Sequence, residues 1–404
     1  MKIVWIVILV IVAGYAGSYF VFSKDRLPAA IRDIFLTGWE FFIVGAVIGP
    51  GGFNLIQSGQ LEQLNPFIAL GLGWVGLIFG VQLRVSDLKK IDPAMKLLTL
   101  IQAALVGVGL FFIFALASSI LLTISWTEIA IASGIVACAG AISSPTAISL
   151  VGARLDRSKS PQLRSLMIIA TLDIAPALIV IGVLFCFFTA EPGGGFSLTR
   201  GFSMMFYSLI ISAALAGIFL LFDRKSLSEG ENLAVFIGFL VLIAGIAFYL
   251  SLSPLFLSLL VGVFLANTLP PDDMIYVSLH STEKQFYVIL LIVSGMWWQS
   301  YTPEIWALAG ALIVVRLWLK REAVDAGAKL LFKTDKLQKG IGQALGAQGA
   351  LALAIGLNYI LIYPGQAPKL AFGVIAISVI ANEAMAPWLI LRTLGNHKAG
   401  ETER

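Results

Sequence analysis

The chain consists of long apolar runs separated by short polar segments. Runs of about 17 residues or more, the length an α-helix needs to cross a bilayer core, occur thirteen times. This pattern predicts an all-α polytopic membrane protein, a single integral membrane unit with 13 transmembrane helices. The predicted spans lie near residues 3–22, 36–56, 66–83, 94–122, 126–154, 163–188, 201–222, 232–250, 253–269, 285–302, 303–320, 338–363 and 369–391.

The basic residues between these runs predict an orientation. If the amino end is outside, nearly all of the 27 lysines and arginines lie in inner segments, whereas Lys2, Arg200 and Lys369 lie outside. Cytoplasmic loops of membrane proteins carry such an excess of positive charge. We therefore expect an N-out/C-in topology. The first run resembles a signal peptide in part, but the positive charge follows it, which favours a retained helix.

Composition excludes several classes of protein. Hydrophobic residues make up 59% of the chain and charged residues 12%, and the mean hydropathy is +0.94, too apolar for a soluble domain. The basic residues mark loops rather than a patch, so we expect no nucleic acid partner. Cys138 and Cys186 fall inside apolar runs, and His280 and His397 fall in loops. We therefore predict no disulfide framework, no cofactor and no enzyme activity.

One carboxylate lies deep inside an apolar run. Asp173 follows Leu163 by ten residues, which places it roughly 15 Å along a helix and near the midplane of the membrane. Pro176 weakens the same helix, and the neighbouring run is interrupted by a Ser-Ser-Pro-Thr segment at 143–146. Intramembrane acids mark ion or proton pathways, and broken helices are tolerated only beside protein or a watery cavity. These features predict a transporter.

A similar arrangement recurs seven runs later. The run at 338–363 has a weak point rich in glycine and glutamine, which includes Gln343 and Gln348, and the last run carries Glu383 followed by Pro387. In both halves, a weakened helix therefore precedes a helix with an intramembrane acid. A displacement by an odd number of spans inverts the second copy, so we predict an inverted repeat with two broken crossing helices.

Several segments resemble the monovalent cation:proton antiporter superfamily, with its sodium/hydrogen exchanger-like membrane domain, and especially its second, largely prokaryotic branch. The similarity extends through most of the chain, which resembles a divergent member of that superfamily. It is carried by 45–52 (GAVIGPGG), 72–83 (LGWVGLIFGVQL), 251–254 (SLSP) with 260–267 (LVGVFLAN), and 290–296 (LLIVSGM).

In that family, a polar pair at the middle of helix six carries the ion on its second member. Here the pair reads Leu172-Asp173, so the resemblance assigns the essential carboxylate to Asp173 and departs from the family at the first position. It also implies a homodimer that moves its core in an elevator fashion. Residues 1–93 and 232–302 would form the scaffold and dimerisation helices, 94–188 and 303–394 the ion-transporting core, and 189–231 the linker helix seven.

Each candidate residue has a structural alternative. Asp173 is either the exchanging acid or a buried acid locked to Arg316 or Lys320. The residues predicted to bind ions or protons are Asp173, Ser143, Ser144, Thr146, Glu383, Gln343 and Gln348. Of these, Asp173 and Thr146 are predicted to be ligands of the transported cation. The alternative for the serines, the threonine and the glutamines is a structural role at a kink or a helix break. Glu383 alternatively pairs with Arg316. Arg316 and Lys320 are predicted to compensate charge, although Lys320 also fits a lysine that extends to the membrane surface.

The predicted function is exchange of Na⁺ or K⁺ for H⁺. Burial favours the neutral form of a carboxylate, so protons and cations compete for it. With one such acid, we expect one-for-one, electroneutral antiport. We expect the protein in a cell membrane, in bacteria the inner membrane. Two alternatives remain open: an organic anion carrier, which an acid at the crossing disfavours, and a non-transporting sensor or subunit on the same fold.

Overall fold

The computed structural model describes Val12 and residues 38–154, 160–189, 195–223, 229–270, 274–299, 301–332 and 337–395. These segments are almost entirely helical, and an antiparallel bridge pairs Phe188 with Phe196. Apart from Val12, the predicted first span at 3–22 lies outside the described residues. The number of thirteen helices and the N-out/C-in orientation therefore remain predictions.

The first half of the described chain contains nine helices. They are α1 (Glu40–Ile48), α2 (Ser58–Glu62), α3 (Asn65–Val81), α4 (Val85–Lys90), α5 (Pro93–Leu121), α6 (Trp126–Ala141), α7 (Pro145–Arg154), α8 (Pro161–Leu172) and α9 (Ile174–Phe187).

The second half of the described chain adds seven α-helices and one short 3₁₀ helix. They are α10 (Leu198–Asp223), α11 (Glu229–Tyr249), α12 (Pro254–Thr268), α13 (Met274–Met296), α14 (Pro303–Leu331), the 3₁₀ helix Ile341–Gly346, α15 (Gly349–Ile362) and α16 (Gln366–Gly395).

Five stretches of helix in the described residues are long and apolar enough to cross a membrane, with shorter apolar helices beside them. This confirms a polytopic, multi-pass membrane protein at the level of fold class. The five long stretches are Pro93–Leu121, Trp126–Gly152, Pro161–Phe187, Leu198–Leu221 and Gln366–Leu394.

Local sequence signals place the starts of the core helices. Ser125 and Glu128 form a reciprocal capping box at the start of α6, and the Ser160 hydroxyl accepts from the Leu163 N–H at the start of α8. Pro93 and Pro161 occupy the first positions of their helices, where a missing N–H costs no hydrogen bond. The broken helix therefore begins at Trp126, as predicted, and the helix of Asp173 begins at Pro161, two residues before the predicted span 163–188.

Three predicted spans differ from the structure. The run 285–302 is displaced, because α13 begins at Met274 and ends at Met296. In the described part of the run 36–56, residues 38–56, the helix is the nine-residue α1, because Gly49-Pro50 ends it in a turn where Asn54 has a φ of 52°. The run 303–320 is too short, since α14 continues to Leu331. Lys320 marked the end of the span in the sequence, but it is fully buried and binds Asp173 inside the protein.

Glycines bring helices of the predicted scaffold into backbone contact. A Cβ atom added at Gly45 of α1 would lie 2.9 Å from the Cα of Gly295 in α13, and one at Gly80 of α3 would lie 2.8 Å from the Cα of Gly262 in α12. Both distances are too short for a side chain. These two helix pairs are therefore packed as closely as small-residue motifs allow in membrane proteins.

Candidate functional site at two helix breaks

The first break separates α6 from α7. The chain leaves α6 after Ala141 in an extended conformation at Ile142 and re-enters a helix at Pro145. Helix ends carry carbonyl and N–H groups without partners inside the helix, with partial negative and positive charge respectively. The predicted interruption is therefore present. It leaves carbonyl groups at the end of α6 and N–H groups at the start of α7 free to bind side chains from other helices.

The Asp173 carboxylate faces the amide end of this break. The Ser143 N–H donates to Asp173 Oδ1 at 3.1 Å and the Ser143 hydroxyl donates to Oδ2 at 2.7 Å. Asp173 stands at the junction of α8 and α9, because Pro176 has no N–H for the carbonyl of Leu172 and its ring crowds that carbonyl. The resulting break leaves Asp173 fully buried, beside the amide end of the broken helix.

Lys320 completes this group. Its ammonium donates to Asp173 Oδ2 at 2.9 Å, to the Ser143 hydroxyl at 2.6 Å and to the Ala141 carbonyl. Neither the lysine nor the aspartate side chain is exposed. Lys320 is thus in the interior, which removes its interpretation as an end-of-helix lysine reaching for the membrane surface. A cation that approached Oδ2 would have to displace this ammonium.

Arg316 binds the carbonyl ends of both breaks. Its Nε donates to the carbonyl of Gly140 at 2.7 Å and its Nη2 to that of Ile142 at 2.8 Å. Its remaining hydrogen bonds go to the carbonyls of residues 345–347 at the second break. The guanidinium therefore neutralises the negative ends of two facing helices, and none of these bonds goes to a carboxylate.

The second break lies between the 3₁₀ helix and α15. Glu383 of α16 accepts the N–H groups of Gln348 at 3.0 Å and Gly349 at 2.7 Å on the same oxygen, Oε1. Gly349 has a φ of +73°, and a Cβ there would lie 3.1 Å from the Ser144 hydroxyl oxygen. Glycine is thus required where the second break approaches the first.

Amide and hydroxyl groups surround the second break. Gln348 Nε2 donates to the Ala139 carbonyl at 3.0 Å, and its Oε1 accepts from Ser378 and Asn382, both at 2.8 Å. The Ser144 N–H donates to the Ala347 carbonyl at 3.0 Å. These bonds join the two breaks and α16 into one polar crossing inside the bundle.

The structure brings together most of the predicted site residues. Asp173, Ser143 and Lys320 form one group, and Glu383 and Gln348 form the other. Ser144 links the breaks through its backbone, and its hydroxyl accepts from the Ala147 N–H at 3.3 Å.

Two predicted residues lie outside both groups. The side chain of Thr146 is exposed, and Gln343 lies half-buried on the 3₁₀ helix. Neither is hydrogen-bonded to Asp173 or Glu383 in the described part of the chain. Their roles as ion ligands remain predictions.

Sequence reasoning missed two members of the crossing. Ser378 and Asn382 both donate to Gln348. In addition, Asn382 Nδ2 donates to the Ser378 hydroxyl at 3.1 Å. Their spacing of four residues on an apolar helix puts them on one face, and that signal was available in the sequence. The carbonyls that hold Arg316 and Lys320 carried no signal, because every residue has one.

Comparisons with known proteins support the same fold. No protein-family profile and no curated protein sequence matches the chain. Among solved structures, it is similar to the sodium proton antiporter MjNhaP1 from Methanocaldococcus jannaschii, whose structure was determined at pH 8. The identity is 16%, the TM-score is 0.64, and the match covers 98% of this chain and 99% of the other. Over almost its whole length, the chain therefore has the fold of a sodium/proton antiporter.

Proposed function

We propose that this protein is a secondary active antiporter that exchanges a monovalent cation, Na⁺ or K⁺, for H⁺. The observation that carries the proposal is the buried Asp173 carboxylate, held between the amide end of a helix break and the Lys320 ammonium. The fold shared with MjNhaP1 supports it. Because the sequences are only 16% identical, that likeness speaks for the fold, and the exchange itself is our inference.

The Asp173–Lys320 pair provides a means of exchange. In the observed arrangement the lysine ammonium occupies the position next to Oδ2 that a transported cation would take. A cation that binds there displaces the ammonium, and one proton leaves the site, from either the lysine or a previously protonated aspartate. The net charge of the site is then the same with a cation as with a proton. We therefore expect one-for-one, electroneutral exchange.

Electroneutral exchange requires that Glu383 does not titrate during the cycle. Glu383 Oε1 already accepts two backbone N–H groups, those of Gln348 and Gly349. We assign Glu383 a fixed role at the second break. A proton carried by Glu383 would add a second charge per cycle and make the exchange electrogenic.

An elevator movement is the expected route across the membrane. Every residue of the two polar groups falls within 94–188 or 303–394, the predicted transporting core. Arg316 ties both breaks together, so the crossing would travel as one unit. The scaffold would be 1–93 and 232–302, linked by helix seven within 189–231, in a homodimer. We expect this assembly in a cell membrane, and the resemblance to a prokaryotic branch favours a bacterial inner membrane.

Proton movement in proteoliposomes tests the proposal. We expect Na⁺ or K⁺ to dissipate a preformed proton gradient, reported by a pH-sensitive dye, with wild type but not with Asp173→Asn. Asp87→Asn is the matched control, because it makes the same chemical change at an exposed position in α4. No response of the wild type to Na⁺, K⁺ or Li⁺ around neutral pH would overturn antiport.

The closed ion pair also favours one alternative. With Ser143 and Lys320 bound to Asp173, the same fold could serve a non-transporting sensor or subunit. That protein would give no cation-dependent proton movement, yet Asp173→Asn would still alter its stability. An organic anion carrier is disfavoured, because Asp173 and Glu383 already occupy the amide ends that would bind a substrate carboxylate.

A further inference from the structure

A large apolar cavity lies behind the first break. It has a volume of about 520 Å³ and lies open on one side between α5, α6 and α9. No polar atom is exposed on its wall. Its size falls in the range of pockets that hold drug-sized ligands, roughly 300–1,000 Å³.

The mouth of the cavity faces the surroundings of the protein. Leu100, Val108 and Phe112 of α5 and Val180 of α9 line it, and about half or more of each of these side chains is exposed. The stretches Pro93–Leu121 and Pro161–Phe187, which carry these residues, are both long and apolar enough to cross a membrane. In a bilayer, the cavity therefore opens to lipid.

The inner wall of the cavity is the back of the ion-pair site. Ala141, whose carbonyl accepts from Lys320, lines the cavity together with Pro176, which lies three residues after Asp173. Cys138 lines it one turn earlier on α6. Any molecule in the cavity would contact the segments that hold Asp173 and the end of α6 in place.

The chemistry of the wall selects the occupant. A water molecule needs two to four polar partners, and none is exposed here. An ion or a lipid headgroup would lose its hydration without compensation. An empty cavity would leave its lining without dispersion contacts on one side. An uncharged hydrocarbon chain satisfies all three constraints, and the bilayer supplies it at the mouth.

We infer that the cavity binds one acyl chain of a membrane phospholipid, packed against the back of the first helix break. This binding requires only that the protein lies in a membrane, and it does not depend on antiport. Any influence of the chain on exchange rests on the proposed function.

Photolabelling in proteoliposomes tests the inference directly. The probe is a phosphatidylcholine with a diazirine near the end of one acyl chain, and labelled peptides are mapped by mass spectrometry. We expect labels on cavity residues of α5, α6 and α9 in excess of those on the exposed face of α10. Equal labelling of α10 and the cavity would overturn the inference.

A cavity-filling variant with a matched control sharpens the test. A Cβ at Gly107 meets only the Ala141 Cβ, at 4.0 Å, so Gly107→Leu extends into the cavity, whereas Gly217→Leu on α10 makes the same change in open space. Exclusion of about two methylene groups weakens binding roughly tenfold. We expect this loss of cavity labelling in Gly107→Leu and no change in Gly217→Leu.

Two further arms keep the result decisive. If Gly107→Leu does not fold, Ala104→Leu repeats the test at an exposed position of the same wall. Undiminished cavity labelling in the variant that folds would contradict the inference. A diazirine fatty acid is the second arm. Cavity labelling by the free fatty acid but not by the phospholipid would assign the site to fatty acids and overturn our assignment.

Discussion

Both helix breaks bind a carboxylate through backbone N–H groups, but the side chains around the two carboxylates differ. In each, a carboxylate from the following helix accepts N–H groups at the break, Asp173 from Ser143 and Glu383 from Gln348 and Gly349. At the first break a lysine ammonium also holds the carboxylate. At the second, the amide of Gln348 anchors the crossing through Ser378 and Asn382.

This difference assigns different tasks to the two acids. A lysine on a flexible stem is a point charge that another cation is able to replace. Backbone N–H groups are fixed in position and have no such substitute. We therefore expect Asp173 to exchange ions and Glu383 to hold α15 in place.

The largest effect should separate the two acids in transport. We expect Asp173→Asn to reduce cation-dependent proton movement to background, because an amide can neither carry a proton nor balance a cation. Glu383→Gln should retain exchange, since its carbonyl oxygen still accepts from Gln348 and Gly349. Dye dequenching in proteoliposomes measures both variants. Equal loss in both would mean that the two carboxylates share the ion.

The next largest effect concerns the buried ion pair. Lys320→Met leaves Asp173 charged and uncompensated, so we expect a loss of about 3–5 kcal/mol in the free energy of unfolding. The double variant Asp173→Asn/Lys320→Met should recover most of it, because no unpaired charge remains. Denaturation in detergent, followed by the reactivity of the buried thiols of Cys138 and Cys186, measures the change. Additive losses would contradict direct coupling.

Arg316 tests what the two breaks have in common. Arg316→Leu leaves helix-end carbonyls at both breaks without a donor, and we expect a cost of about 3 kcal/mol in unfolding free energy from these buried acceptors. Arg321→Leu is the control, because that side chain is 43% exposed. The same thiol assay applies. An equal effect of the two leucines would show that the guanidinium does not hold the crossing together.

The smallest effect should appear at the closest approach of the breaks. Gly349→Ala places a Cβ at a φ of +73° and 3.1 Å from the Ser144 hydroxyl, so we expect about 1–3 kcal/mol of destabilisation. Gly238→Ala on α11 is the control, since a Cβ there meets nothing within 4 Å. A change in thermal midpoint no larger than the control's would mean that the second break adjusts freely.

Much of this arrangement is predictable from particular residues. Asp173 and the Ser-Pro segment at 143–146 are exceptions in apolar runs, and a polar exception inside a membrane needs a partner. The need for a partner predicts the contact between them. The second break near Gln348 is predicted by the glycine- and glutamine-rich segment in its apolar run. The predicted length of α14 was wrong, because a charged residue was taken as the end of the apolar run, whereas the helix continues to Leu331. The predicted span ended at Lys320, at the start of a run of charged residues, although Lys320 binds partners within the protein.

The helical membrane fold and the positions of the two acids and both breaks follow from the amino-acid sequence alone, because the spacing of apolar residues and helix breakers is a local property. The packing of the helices against one another is what brings Lys320 to Asp173, brings Arg316 to carbonyls rather than to an acid, and leaves Thr146 exposed. These outcomes depend on which backbone and side-chain groups come within hydrogen-bond distance of about 3 Å after helices from both halves of the chain pack together.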